Sequence, residues 1–107
     1  MTPVTAIAPG FFRTDWAGRS MVRTSRSVSD YDPLFDPIRK AREDKNGNQS
    51  GDPAKAAQVL LRVIAAENPP VHLLLGKDAV RLVREKLDTL MSEIRAWETV
   101  SCSTDFA

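Results

Sequence analysis

The chain has little of what most catalytic and binding chemistry draws on: its 107 residues include one cysteine, one histidine and one tyrosine. The lone Cys102 cannot close an internal disulfide. It stands among Ser101, Ser103 and Thr104 in a polar tail, which suits a reducing compartment rather than a disulfide-stapled secreted scaffold. A catalytic thiol needs a histidine beside it, and His72 is thirty positions away, so Cys102 reads as an incidental surface residue. No run approaches the roughly 18–20 apolar residues of a membrane span. The opening Met1-Thr2-Pro3-Val4-Thr5-Ala6-Ile7-Ala8 has no basic segment ahead of its short apolar stretch, so no signal peptide is expected. Charge of one sign is lacking too: 15 Lys and Arg against 14 Asp and Glu leave +1, which excludes a global pull on nucleic acid or anionic lipid. These absences lead us to expect a soluble, cytoplasmic protein with no nucleic-acid and no membrane partner.

What is present is ordinary for a globular chain, with 42% apolar and 27% charged residues. The length allows one domain at most and is enough to bury a real core. Val4-Thr5-Ala6-Ile7-Ala8 is a β-prone run with apolar residues on both faces, and Pro9-Gly10 stops it and opens a loop. In the mixed segment that follows, 11–51, Asp15 is expected to cap a short helix through Ala17 and Met21. Asp32-Pro33 looks like a helix cap followed by proline at the first helical position. That helix carries Leu34, Phe35, Ile38 and Ala41, with Pro37 limiting the regularity of its first turns. Asn46-Gly47-Asn48-Gln49-Ser50-Gly51 is a turn-rich loop.

Asp52-Pro53 repeats the cap signal and opens a helix expected to run to about Glu67. Its polar positions Lys55, Gln58 and Arg62 form one narrow stripe, while Ala56, Ala57, Val59, Leu60, Leu61, Val63 and Ile64 cover most of the rest. Such a helix is expected to be buried on most of its circumference. After Asn68-Pro69-Pro70 comes a second buried-strand candidate, Val71–Leu75, closed by Gly76. A last helix is expected from about Lys77 to Trp97. Its apolar positions Val80, Val83, Leu87, Leu90, Ile94 and Trp97 fall three and four apart, a one-sided stripe read as packing on a sheet rather than as a coiled coil. Residues 98–107 are left as a tail.

The order is strand, loop with short helices, buried helix, strand, helix. This βαβα pattern predicts two parallel neighbouring strands joined by a helical crossover. Two apolar parallel strands leave both edges of the sheet unpaired, so the chain reads as the edge of a larger α/β sheet whose other strands are missing.

One stretch is specific. A strand ending Pro9-Gly10, then Phe11-Phe12-Arg13, then Thr14 resembles the sixth strand and following loop of short-chain dehydrogenases/reductases. The resemblance continues through a variable loop, a helix opening Asp52-Pro53-Ala54-Lys55-Ala56-Ala57, a strand ending Leu74-Leu75-Gly76, and a closing helix with Asp78 and Ala79 near its start. It spans essentially the whole chain but only the C-terminal portion of that family's domain. It implies an α/β fold, the C-terminal βαβα part of a Rossmann-like doubly wound parallel sheet, incomplete on its own.

In that family the loop after this strand lies against the nicotinamide end of the cofactor. The resemblance therefore implies that Pro9 and Gly10 shape the turn beside the ring, and that the backbone of Phe11 and the hydroxyl of Thr14 hydrogen-bond its carboxamide. Read locally, Pro9-Gly10 ends a strand and Thr14 caps the short helix after it. Phe12, Trp16 and Met21 are candidates for a substrate pocket, with packing on the open sheet edge as the alternative.

The rest of such a site is missing from the sequence. The five glycines, at 10, 18, 47, 51 and 76, make no phosphate loop. Gly76-Lys77 fails as a nucleotide loop because Val71 stands where the first glycine belongs and Asp78 replaces Ser or Thr. The family's catalytic Tyr is followed four residues later by Lys, with Ser upstream. Here the only tyrosine, Tyr31, is followed by Phe35, and it reads as a packing residue with a wet hydroxyl. No catalytic residue is carried over.

Arg13, Arg19, Arg23 and Arg26 against Asp15 give a local excess of positive charge, read as a solvated loop face rather than a phosphate or nucleic-acid site. His72 reads as structural, and no residues have metal-ligand spacing.

The leading expectation is the C-terminal part of an NAD(P)-dependent oxidoreductase acting on a carbonyl/alcohol pair, inactive alone. NAD or NADP would bind only if a missing N-terminal half complements the chain. The alternatives are a non-enzymatic interaction module, or a truncated reading frame, since Met1-Thr2-Pro3 begins where the sixth strand would. Self-association or a complementary Rossmann half is expected through Asp52–Glu67 and Val71–Leu75.

Overall fold

A computed structural model describes residues 2–107 of the chain. The order of regular elements is strand β1 (Ala6–Pro9), helix α1 (Asp32–Lys45), helix α2 (Pro53–Ala65), strand β2 (His72–Leu75) and helix α3 (Lys77–Cys102). Short 3₁₀ turns stand at Asp15–Ala17 and Ser29–Tyr31. The two strands pair in parallel, Ala6 opposite His72 through Pro9 opposite Leu75. The predicted βαβα order and parallel pairing are therefore present, with both strands a residue or two shorter at their starts than the sequence suggests. Proline can close β1 because its missing N–H falls at the strand's end, where no ladder bond is required of it.

Local chemistry accounts for the helix ends. Asp52 caps α2, its carboxylate accepting the amide of Ala54 at 2.9 Å, and Pro53 occupies the first turn, where no N–H is needed. The expected cap at Asp32 is different: Asp32 is already helical and the preceding Tyr31 provides no side-chain cap. Asp32 instead lies near Arg26 and Arg39, each 3.6 Å away. Helix α1 runs unbroken through Pro37. In the first loop Thr14, not Asp15, is the cap: its hydroxyl oxygen accepts the amide of Trp16 at 3.3 Å, while Asp15 pairs with Arg19. Helix α3 continues five residues past the expected end at Trp97, to Cys102, because Glu98, Thr99 and Val100 contain no breaker. Only the last few residues of the expected tail are non-helical.

The largest departure concerns the core. Ala17, Leu75 and Ala79 are the only buried apolar residues among those described. Helix α2, expected to be buried nearly all round, has no buried residue: Leu61 is 60% and Ile64 81% exposed. Helix α3 touches β2 only near its start, around Ala79, and projects beyond it, so the expected packing of its stripe on a sheet does not occur. The radius of gyration is 20.2 Å, against roughly 13 Å for a compact chain of this length. Two strands cannot cover three helices, and the apolar faces that the sequence supplies outrun the surface available to bury them.

Candidate functional site

The site is built where β1 ends. Gly10 continues the ladder one step, its amide donating to the carbonyl of Leu75 at 2.8 Å, so the loop leaves the sheet beside the end of β2. There Gly76, at φ +103°, turns the chain into α3, a conformation open essentially to glycine alone. The first turn of α3 then presents Asp78, whose carboxylate accepts the amide of Phe11 at 2.8 Å. A Cβ on Gly10 would overlap that carboxylate, so glycine here lets the two segments meet. The bond from the Phe11 amide is the main reason the Asp78 carboxyl titrates below its ordinary value of 3.8.

Beyond Phe11 the loop runs alongside Gly51. The Phe11 carbonyl accepts the amide of Gly51 and the Arg13 amide donates to the Gly51 carbonyl, both at 2.9 Å. The Arg13 guanidinium also donates twice to the carbonyl of Gln49, at 2.9 and 3.1 Å. These bonds fix the loop against 49–52 and so against the start of α2. Between them lies an open groove of about 610 Å³ lined by Pro9, Gly10, Phe11, Phe12, Thr14 and Trp16 on one side and by Pro53, Ala56, Ala57 and Leu60 of α2 on the other. The Phe11 ring also carries the ammonium of Lys45, 4.7 Å from its centroid.

Most of the expected site residues are thus brought together: Pro9, Gly10, Phe11, Phe12, Thr14 and Trp16 share one groove. Met21 does not join them; it lies in a separate hollow with Arg23, Arg26, Arg39 and Arg42. The role expected of the Phe11 backbone is already filled, since its amide serves Asp78 and its carbonyl serves Gly51. The neighbouring Phe12 pairs with Gly51 as an isolated bridge in which the bonds are made by residues 11 and 13. Its own N–H and C=O point to the opposite edge and make no hydrogen bond among the described residues. The Thr14 hydroxyl, while accepting from Trp16, keeps its proton to donate.

Two residues of the site were not singled out by the sequence reading. Asp78 stands in the first turn of a helix that follows glycine, where an acid is a recognisable anchoring signal. Gln49 is 6% exposed, lines the groove, and has its side-chain oxygen buried without a hydrogen-bond partner. Nothing in a polar loop marks such a residue beforehand. The basic loop is internally committed: Arg19 to Asp15, Arg23 to the Ala17 carbonyl and Arg26 to Asp36. Tyr31 is exposed and tilted against Phe35, ring centres 6.3 Å apart. His72 and Cys102 are exposed, and no group of three or more metal-ligating side chains gathers among the described residues. No described helix is long and apolar enough to cross a membrane.

The chain is similar to a short-chain dehydrogenase of Streptomyces avermitilis of known structure, with a TM-score of 0.71 and 35% identity over 96% of this chain and 36% of that one. It is 30% identical to an oxidoreductase of Botryotinia fuckeliana over 94% of its own length and 36% of that protein's. An uncharacterized oxidoreductase of Schizosaccharomyces pombe is 29% identical over 97% of this chain and 34% of its own. The chain spans about a third of the length of these relatives. No family model matches it.

Proposed function

From the premise that this chain carries the C-terminal part of a short-chain dehydrogenase/reductase fold, we propose that it supplies the nicotinamide-side loop and one wall of the substrate pocket of an NAD(P)-dependent oxidoreductase. The reaction would be the interconversion of a carbonyl and an alcohol. The observation that carries this reading is the loop after β1. It is pinned by Asp78 and Gly51, and it leaves the Phe12 amide and carbonyl without a partner among the described residues, beside a hydroxyl, at Thr14, at the lip of an apolar groove.

The residues present fit the nicotinamide end of the cofactor. A carboxamide needs both an acceptor for its NH2 and a donor for its oxygen, and the Phe12 carbonyl and amide with the Thr14 hydroxyl provide them. Pro9 and Gly10 line the groove at the strand end, where the ring would approach. The apolar groove, with Phe12 and Trp16 on one side and Leu60 on the other, would exclude water from the reacting face. Bound there, NAD(P) would supply the hydride chemistry; the chain's own part is to hold and orient one end of it. Phosphate cradle and proton-transferring Tyr–Lys pair would come from a complementary Rossmann half. That half would seat on the free edge of the sheet and on α2, whose exposed Leu61 and Ile64 then find cover. Alone, the chain would be inactive.

The test is a fluorescence titration of the purified chain with NADH and NADPH, with circular dichroism on the same sample. Folded protein without saturable binding is the expected result. Tight saturable binding, or turnover of any carbonyl substrate by the chain alone, would overturn the reading.

A further inference from the structure

Helix α3 is 26 residues long, about 39 Å, yet it is held only at its first turn. Along the rest of it the apolar stripe faces solvent: Leu87 is 58%, Leu90 46%, Ile94 51% and Trp97 64% exposed. A stripe of this length on a projecting helix needs cover.

The stripe has heptad spacing. With Val80 at position a, the a residues are Val80, Leu87 and Ile94 and the d residues Val83, Leu90 and Trp97. The flanking e positions are Lys77, Arg84, Met91 and Glu98, and the g positions are Ala79, Lys86, Glu93 and Val100. The flanks decide the partner and its direction, because across a parallel pair g residues face e residues, whereas across an antiparallel pair g faces g and e faces e.

Consider a second α3 lying antiparallel with Leu87 opposite Leu90 of the other copy. Then Val80 meets Trp97 and Val83 meets Ile94, so each a residue faces a d residue along the whole seam. In the same register Lys86 faces Glu93 and Lys77 faces Glu98. By two-fold symmetry each of these pairs occurs twice, giving four attractive pairs and no like-charge pair. Of the remaining flanks, Ala79 is already buried within the chain, and Met91 would lie beside the aliphatic stem of Arg84. A parallel pair gives the opposite balance, since its g-to-e contacts set Glu93 against Glu98 twice and pair Lys86 with an uncharged Met91.

We infer that α3 is a self-association surface: two copies of this chain pair through it antiparallel, about a two-fold axis midway between Leu87 and Leu90. The contact is isologous and closes as a dimer. It uses none of the residues assigned to the cofactor loop or to the complementary half, so it stands or falls independently of them.

Sedimentation velocity on the full chain across the micromolar range provides the test. A dimer is expected, and Glu93→Lys, which sets a second lysine against Lys86 at both symmetry-related contacts, should weaken it about tenfold. The Lys86→Glu/Glu93→Lys double variant restores opposite charges and should recover the affinity, which separates a pairing effect from loss of fold. Mild oxidation should not link the chains, because antiparallel helices hold the two native Cys102 residues about 40 Å apart. A monomer at all concentrations would overturn the inference. So would a dimer that Glu93→Lys leaves unchanged or strengthens, or one readily joined through Cys102.

Discussion

Asp78 is the residue on which the site's geometry turns. Its carboxylate joins the loop after β1 to the start of α3 through the Phe11 amide, a link across 67 positions of sequence. Replacing it by Asn should loosen the loop and cost about 1 kcal/mol, a charged acceptor's bond discounted for its half-exposed setting. The same bond holds the folded-state pKa below the ordinary 3.8. Asp78 therefore contributes its stability above that unfolded-state value and loses it as pH falls through the lower folded pKa. Urea midpoints of the parent chain and Asp78→Asn should differ at pH about 7 and converge well below pH about 4.

Gly10→Ala acts on the same link, because its Cβ would occupy the space of the Asp78 carboxylate. Its cost should be about 1–3 kcal/mol. Combined with Asp78→Asn, the two losses should fall well short of their sum; strict additivity in a double-mutant cycle would refute the shared contact. At this scale the sequence made Pro9, Gly10 and Thr14 legible, since strand-ending and capping residues act through their immediate neighbours. Whether the amide of Phe11 or of Phe12 is free depends on Asp78 and Gly51, residues brought alongside only by the fold.

Among the elements, boundaries governed by local chemistry were readable and those governed by neighbours were not. The Asp52-Pro53 signal starts α2 where expected, and Asp52→Ala should cost about 1 kcal/mol, measured as a lowered midpoint of thermal unfolding. The equivalent signal at Asp32 has the same residues but a different outcome, because the 3₁₀ turn at Ser29–Tyr31 leads straight into α1 and places Asp32 inside it. Helix α2 makes the contrast sharper. Its composition marks it for burial, yet burial needs a partner surface. Ile64→Glu should therefore leave the stability of the chain alone within about 0.5 kcal/mol, as for a surface site. The same substitution should abolish capture of a complementary half if α2 is where that half seats. A large destabilisation of the lone chain would mean that α2 is covered in solution by something other than that half.

At the scale of the molecule, three helices hang from a two-stranded sheet, and the described residues bury three small or medium apolar side chains. So small a core exposes little new surface on unfolding. The urea dependence of stability of the monomer, at concentrations too low for pairing, should therefore fall at or below the low end of the usual range of about 1–3 kcal/mol/M. A steep, strongly cooperative transition would show that the faces of α2 and α3 are buried in solution, and its dependence on protein concentration would show whether a second copy buries them.

The sequence by itself determined the order of strands and helices, their parallel pairing, the loop that follows β1 and the family that loop resembles. These follow from hydrophobic period, helix caps and turn residues, all of which act over a few positions. Only the tertiary structure decided that Asp78 and Gly51 claim the Phe11 backbone and leave Phe12 free, that Met21 stands apart from the groove, and that the apolar faces of α2 and α3 lie open. Each of those depends on which distant segments meet, and a pattern of apolar residues records that a face wants cover without recording what provides it.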